Sequence, residues 1–154
     1  AKHYAMNALC ALAAAYALKL ELEPLLPAFA HMREGTGRGR LHPLNYAGRE
    51  ITLIDDSYNA SPASMQAALD AAASYNADNL LVIASDMLEL GEAAIAEHKA
   101  LAAVIEKAGA KSVIAVGALM QSCYQQLPET ISATHFAEAE AACASFNNDL
   151  EALI

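Results

Sequence analysis

Apolar positions along the chain follow two regimes, one on each side of a glycine-rich stretch. From His3 to Leu20 the sequence reads HYAMNALCALAAAYALKL, rich in strong helix formers and free of Gly and Pro, which predicts a helix. A second short helix is predicted between Pro24 and Met32, because proline is tolerated in a first helical turn. Glu34-Gly35-Thr36-Gly37-Arg38-Gly39-Arg40 then places three glycines within five residues. Such a segment cannot hold a helix and marks a boundary between packed units.

Beyond the boundary the period changes. Leu41 to Tyr46 and Glu50 to Ile54 flank Ala47-Gly48-Arg49, the pattern of a hairpin built on a glycine turn. The second strand runs into the polar loop Asp55-Asp56-Ser57-Tyr58-Asn59-Ala60-Ser61-Pro62. A helix is predicted from Pro62 to Ser74, with Met65, Ala68, Leu69 and Ala72 on one face. NLLVIA (Asn79 to Ala84) reads as a fully buried strand. A helix from Ala93 to Ala108, the strand Ser112 to Val116, a short helix from Leu119 to Gln126, a strand from Ile131 to His135 and a helix from Glu138 to Leu153 complete the pattern. Strands alternating with helices predict an α/β fold, a doubly wound, mostly parallel sheet with helices on both faces. The opening helices precede the first strand, so residues 1–34 read as the tail of a preceding domain and 35–154 as the α/β domain. That makes the chain a piece of something larger.

Composition narrows the class. The chain has 154 residues, 56% hydrophobic, enough for a real core and too apolar for disorder. Lys19, Glu21 and Glu23 interrupt the longest apolar run, and no basic n-region with a cleavage site opens the chain, so neither a membrane span nor secretion is expected. Cys10, Cys123 and Cys143 are odd in number and widely spaced, the pattern of reduced thiols rather than a disulfide framework or zinc cluster. The net charge of −9 argues against nucleic-acid binding. The charge is uneven: residues 1–50 carry six Lys/Arg against four Asp/Glu, and all four arginines (Arg33, Arg38, Arg40, Arg49) lie close together. A local cationic segment can hold a small anion such as a nucleotide phosphate, but on charge alone a solvated loop is the simpler explanation.

In a doubly wound sheet, ligands bind outside the carboxyl ends of the strands. Asp55, Asp56, Ser57, Tyr58, Asn59 and Ser61 follow a strand and lead into a helix N-terminus, a natural ligand position. Capping accounts for Ser61-Pro62 but not for two aspartates followed by Tyr and Asn. Ser85-Asp86-Met87-Leu88-Glu89-Leu90-Gly91 is a second polar stretch after a strand, and an ordinary βα loop with Asp86 and Glu89 solvated explains it better than a site does. His98 stands in the next helix, where histidine is more often surface or core. No GxxxxGK[ST] loop, no strand-linked GxGxxG, no HExxH and no GxSxG elbow occurs.

LIDDSYNASPASMQAAL (Leu53 to Leu69) resembles the DDSYNANPxSMxAAL signature of the Mur ligases, specifically the MurF type. Three further matches follow the same order. HYAMNALCALAAA resembles the HNxxNxxAA helix closing that family's central domain, Gly39-Arg40-Leu41 the GR opening its C-terminal domain, and SDMLELG with His98 its GDMxELG and following histidine. The resemblance implies cytoplasmic, ATP-dependent addition of D-alanyl-D-alanine to UDP-MurNAc-tripeptide in bacterial peptidoglycan precursor synthesis, with Mg²⁺ held mainly outside this stretch. A stand-alone nucleotide-binding module is the alternative. A sister ligase adding another amino acid is disfavoured by DDSYN in place of a DYAHxP-type motif.

Carried over by the resemblance, Asn7 would bond the adenine, with His3 near the base. Arg40 would reach the phosphates, with Arg38 as the alternative in the GRGR repeat. Asp56, with Asp55 beside it, would accept from the ribose hydroxyls. Ser57, Tyr58, Asn59 and Ser61 would line the substrate loop. Tyr4, Ser61 and Ser85 depart from the family pattern. The family's phosphate loop, modified lysine and magnesium ligands would precede Ala1, and its KGSR-like strand and final helix would follow Ile154. No ligase activity is expected of these residues alone.

Overall fold

A computed structural model describes residues 2–30, 35–46 and 48–145, by their backbone alone at residues 2–4 and 30. The chain divides into two compact units, Ala1–Gly35 and Thr36–Ile154.

The first unit holds helix α1 (Lys2–Ala17), a 3-10 turn (Glu23–Leu25) and helix α2 (Leu26–Ala30). The sequence predicts α1 to Leu20, but it stops three residues earlier. Lys19 adopts φ 60°, its N–H donates to the Tyr16 carbonyl, and the Leu20 N–H donates to the Ala15 carbonyl. This is a left-handed helix terminus of the Schellman kind, formed without the usual glycine. The second helix opens as the 3-10 turn at Pro24 rather than as α-helix, and its expected end at Met32 lies outside the described residues.

In the second unit, strands β1 (Arg40–Tyr46) and β2 (Arg49–Asp55) pair antiparallel as a separate two-stranded sheet, Arg40 opposite Asp55 and Tyr46 opposite Arg49. Gly48 turns the hairpin at φ 78°; Ala47 lies outside the described residues. Helix α3 (Pro62–Ala73) follows, then β3 (Leu81–Ser85), a 3-10 turn (Gly91–Ala93), α4 (Ala94–Lys107), β4 (Ser112–Val116), α5 (Met120–Tyr124) and β5 (Ser132–Phe136). Residues 139–145 are helical, and the rest of the final expected helix lies outside the described residues. Strands β3, β4 and β5 form a parallel sheet in that order. The expected α/β architecture is therefore present as a three-stranded parallel sheet flanked by helices.

Alternation along the strands sorts the core. Val82, Ala84, Val113 and Ala115 join Leu101 and Ile105 of α4 and Met120 and Cys123 of α5 in one buried cluster, to which α3 adds Leu69. Full burial of the Val, Leu, Ile and Met side chains among them is worth about 1.5–3 kcal/mol each, which makes this layer the main source of stability. Burial also pushes the Cys123 thiol up to about 11, while Cys10 and Cys143 are exposed. On the other side of the pleat Ile114 is buried but its neighbour Ile83 is 54% exposed. NLLVIA is thus not covered on both faces as its composition suggests, because β3 forms an edge of the three-stranded sheet and Leu80, Val82 and Ala84, but not Ile83, pack on the cluster.

Candidate functional site

The acidic turn after β2 and the glycine connector before β1 are fastened together. The Gly39 N–H donates to the Asp55 carbonyl at 2.8 Å, and the Tyr58 N–H donates to the Gly37 carbonyl at 2.9 Å. These two bonds continue the hairpin past its first pair. Gly37 has φ 70° and is buried, and a Cβ there would lie 2.8 Å from the Tyr58 nitrogen, so only glycine fits. Between the two bonds, the Arg38 guanidinium carbon lies 4.2 Å from the centre of the Tyr58 ring. Arg38, Arg40, Asp55 and Asp56 are therefore drawn to the same end of the hairpin.

Most polar side chains of the turn shape it. The Ser57 hydroxyl donates to Asp55 Oδ1 at 2.6 Å, and the Ser57 N–H donates to the same oxygen at 3.3 Å. This closed Asx turn holds the Asp55 carboxyl below the usual carboxylate range, the Ser57 hydroxyl being the largest cause and the Ser57 N–H the next. Asn59 Oδ1 accepts from the Ala60 N–H at 2.9 Å. Ser61 caps α3: its hydroxyl accepts from the Ser64 N–H, the Ser64 hydroxyl accepts from the Ser61 N–H, and Pro62 takes the first helical position. Such a reciprocal cap is worth about 0.5–2 kcal/mol. Among the described residues no hydrogen bond or ion pair engages the side chains of Asp56 or Arg40, and both are exposed. α3 leads the chain into β3.

Asn7 is exposed on α1, in the first unit. His3 belongs to the same helix, and its side chain lies outside the described residues.

The second polar stretch, after β3, is tied to the core through Asp86 and Met87, while Ser85, Leu88 and Glu89 are exposed. Asp86 Oδ1 accepts from the Met120 N–H at 2.8 Å and Oδ2 from the Leu119 N–H at 3.2 Å, so the carboxylate closes the start of α5 from a loop more than thirty residues upstream. Gly117 gives way to it: φ is 113°, and a Cβ would overlap the Asp86 carboxylate. His98 is fully buried. Its Nε2 accepts from the Met87 N–H at 2.9 Å, which leaves Nδ1 as the protonated nitrogen donating to the Ala94 carbonyl at 2.7 Å. His135 lies 2.8 Å through Nε2 from the Gly117 carbonyl and packs its ring near Tyr124. This network of Asp86, His98, Gly117 and His135 ties the ends of all three parallel strands. Gly117 and His135 carried no signal in the sequence beyond a glycine and a histidine near strand ends. Among the described residues no group of three or more His, Cys, Asp or Glu side chains could hold a metal ion.

Comparison with known proteins bears on this arrangement. Residues 39–152 match the family described as Mur ligase, glutamate ligase domain. The UDP-N-acetylmuramoyl-tripeptide–D-alanyl-D-alanine ligase of Rickettsia prowazekii is 39% identical over 104 residues, 68% of this chain and 22% of that protein. A crystal structure of MurF from Acinetobacter baumannii superposes with TM-score 0.71 at 26% identity, over 97% of this chain and 31% of that one. The MurF ligase of Thermotoga maritima in complex with ADP shares the fold, with TM-score 0.63 at 17% identity, over 88% of this chain and 29% of that one. The chain thus spans less than a third of the length of each protein it matches. With three quarters of its residues inside the matched region, carrying both the acidic turn and the parallel sheet, the chain belongs to the Mur ligase family.

Proposed function

We propose that this chain is the nucleotide-closing, amine-substrate-bearing part of an ATP-dependent ligase. Its reaction joins D-alanyl-D-alanine to the peptide of UDP-MurNAc-tripeptide in the bacterial cytoplasm. The observation that carries the reading is the pair of unengaged charges, Asp56 and Arg40, at the fastened end of the hairpin. The other polar groups of the turn are bonded within the turn or to the glycine connector beside it. The ligase relatives and the fold shared with an ADP complex supply the chemistry that such a pair would serve.

In that chemistry the precursor carboxylate attacks the γ-phosphate of ATP, forming an acyl phosphate and releasing ADP. The dipeptide amine then attacks the acyl carbon, the amine proton is lost, and phosphate leaves as the amide forms. Activation is required because a bare carboxylate is a poor electrophile. Catalysis in such a site is chiefly positioning and charge neutralisation. Arg40 offers an always-charged, bidentate donor set to phosphate oxygens. Asp56 offers a carboxylate to the ribose hydroxyls, and Asn7 an amide with both donor and acceptor for the adenine edge. His3 begins the same helix and would lie near the base. Ser57, Tyr58, Asn59 and Ser61 act by holding the turn in shape for the substrates. Mg²⁺ would neutralise phosphate charge when bound. Among the described residues no group of His, Cys, Asp and Glu side chains forms a cage for it. Residues 1–34 would be the end of the ATP-binding domain and 35–154 most of the C-terminal domain.

The test is phosphate release by the full-length protein given ATP, UDP-MurNAc-tripeptide and D-alanyl-D-alanine. Release is expected only with all three. Asp56→Ala and Arg40→Ala are each expected to remove about 2–4 kcal/mol of transition-state stabilisation, a roughly 30- to 900-fold fall in kcat/KM. Wild-type kinetics in both variants, or release that ignores the dipeptide, overturns the reading.

A further inference from the structure

The GRGR repeat offers two arginines two residues apart, and the geometry gives them different work. Arg38 lies between the two backbone bonds that fasten the connector to the acidic turn, Gly39 to Asp55 and Tyr58 to Gly37. Its guanidinium is stacked on the Tyr58 ring at 4.2 Å. Tyr58 is 67% exposed, so its ring is a platform on the surface rather than a core residue. The Gly37 Cβ position faces the Tyr58 nitrogen at 2.8 Å and Tyr58 Cβ at 3.1 Å, which shows how closely the connector passes over this residue. Arg40 instead opens β1 directly opposite Asp55 and is exposed.

We propose that Arg38 is a positioning residue: stacked on Tyr58, it clamps the glycine connector to the acidic turn, so that Arg40 and Asp56 are presented together. The clamp extends the proposed ligase reading and rests on it for its effect on ATP. A cation over an exposed aromatic face contributes modestly, so its loss is expected to change occupancy of the clamped geometry about two- to fivefold. The ring face carries the effect and the phenol hydroxyl does not.

Two measurements on the full-length protein test this. In limited trypsinolysis followed by mass spectrometry, Tyr58→Leu is expected to speed cleavage after Arg38 about two- to fivefold relative to cleavage after Lys107, which reports opening of the whole unit. Tyr58→Phe, which keeps the ring, is expected to remain nearer wild type. An unchanged ratio in Tyr58→Leu, or a Phe variant as labile as the Leu variant, overturns the clamp whatever the enzyme does. In steady-state kinetics, Arg38→Ala and Tyr58→Leu are each expected to raise KM for ATP about two- to fivefold with little change in kcat. The double variant is expected to be no worse than either single one. Additive losses, or an Arg38→Ala loss as large as that of Arg40→Ala, overturn the division of labour. A protected Arg38 site in a protein without dipeptide-dependent phosphate release sustains the clamp and sinks the ligase reading.

Discussion

Asp56 and Asp86 occupy matching places, each the first residue after a β-strand and each ahead of a helix, yet their surroundings are opposite. Asp86 has both carboxylate oxygens bonded to the Leu119 and Met120 amides, with Gly117 shaped around it. Asp56 is exposed, and no described residue bonds its side chain. The first is a half-buried strut across the parallel sheet. The second is an open charge on a turn whose other polar side chains are mostly engaged locally. Within one domain, then, a carboxylate at a strand end is structural when backbone amides of a distant loop converge on it. It is available to a ligand when its neighbours satisfy only themselves.

The sharpest way to break this contrast is Gly117→Ala. The new methyl would occupy the Asp86 carboxylate's position at a backbone φ of 113°. Relief requires the carboxylate to leave two buried-side amides, at about 1–3 kcal/mol for unsatisfied groups, on top of about 1–3 kcal/mol for the backbone conformation. Urea unfolding of the chain, followed by far-UV circular dichroism, is expected to show a loss of roughly 3 kcal/mol or more. A loss under about 1 kcal/mol would mean that the strut yields easily and that Asp86 is no more fixed than Asp56.

A direct exchange sharpens the same point with a smaller effect. Asp86→Asn keeps one acceptor oxygen but turns a donor toward the Leu119 or Met120 amide, so a loss of about 1–3 kcal/mol in unfolding free energy is expected. Asp56→Asn changes an exposed, unbonded carboxylate and is expected to lie within about 0.5 kcal/mol of wild type. Equal losses in the two variants would erase the distinction drawn from the geometry.

What the sequence made legible follows the range of the interactions. The hairpin, the start of α3 at Ser61-Pro62 and the strand Ser112–Val116 rest on turn residues, a cap and an apolar run, all local signals. The family motif likewise marked the acidic turn as a unit, and its bonds are indeed between near neighbours. The Asp86 strut spans 33 and 34 residues and the His98 bond 11, distances at which no periodicity or capping rule operates. The stitching of Gly37 and Gly39 to the turn was equally hidden, because the glycines read as a spacer and not as an extension of β1 alongside the turn after β2. The exposure of Ile83 escaped for another reason. An apolar run reports what a strand can bury, whereas an edge position decides what it does bury.

The weakest expected effect probes the locally closed region itself. The Asp55 carboxyl is held below its ordinary value of 3.8 chiefly by the Ser57 hydroxyl, so its charged form is favoured in the folded chain. A group of this sign adds stability above the unfolded value, and that contribution disappears as the pH falls through the lower, folded value. Ser57→Ala removes the largest cause and leaves the Ser57 N–H in place. The carboxyl titration midpoint of Asp55, followed by carbon NMR, is expected to move up toward the ordinary value without reaching it. The small stability difference between wild type and variant near neutral pH is expected to close in strong acid, where both carboxyls are protonated. An unmoved midpoint would show that the turn is held by its backbone alone. A midpoint reaching the ordinary value would show that the hydroxyl carried the whole closure, and that the turn around Asp56 depends on a single side-chain bond.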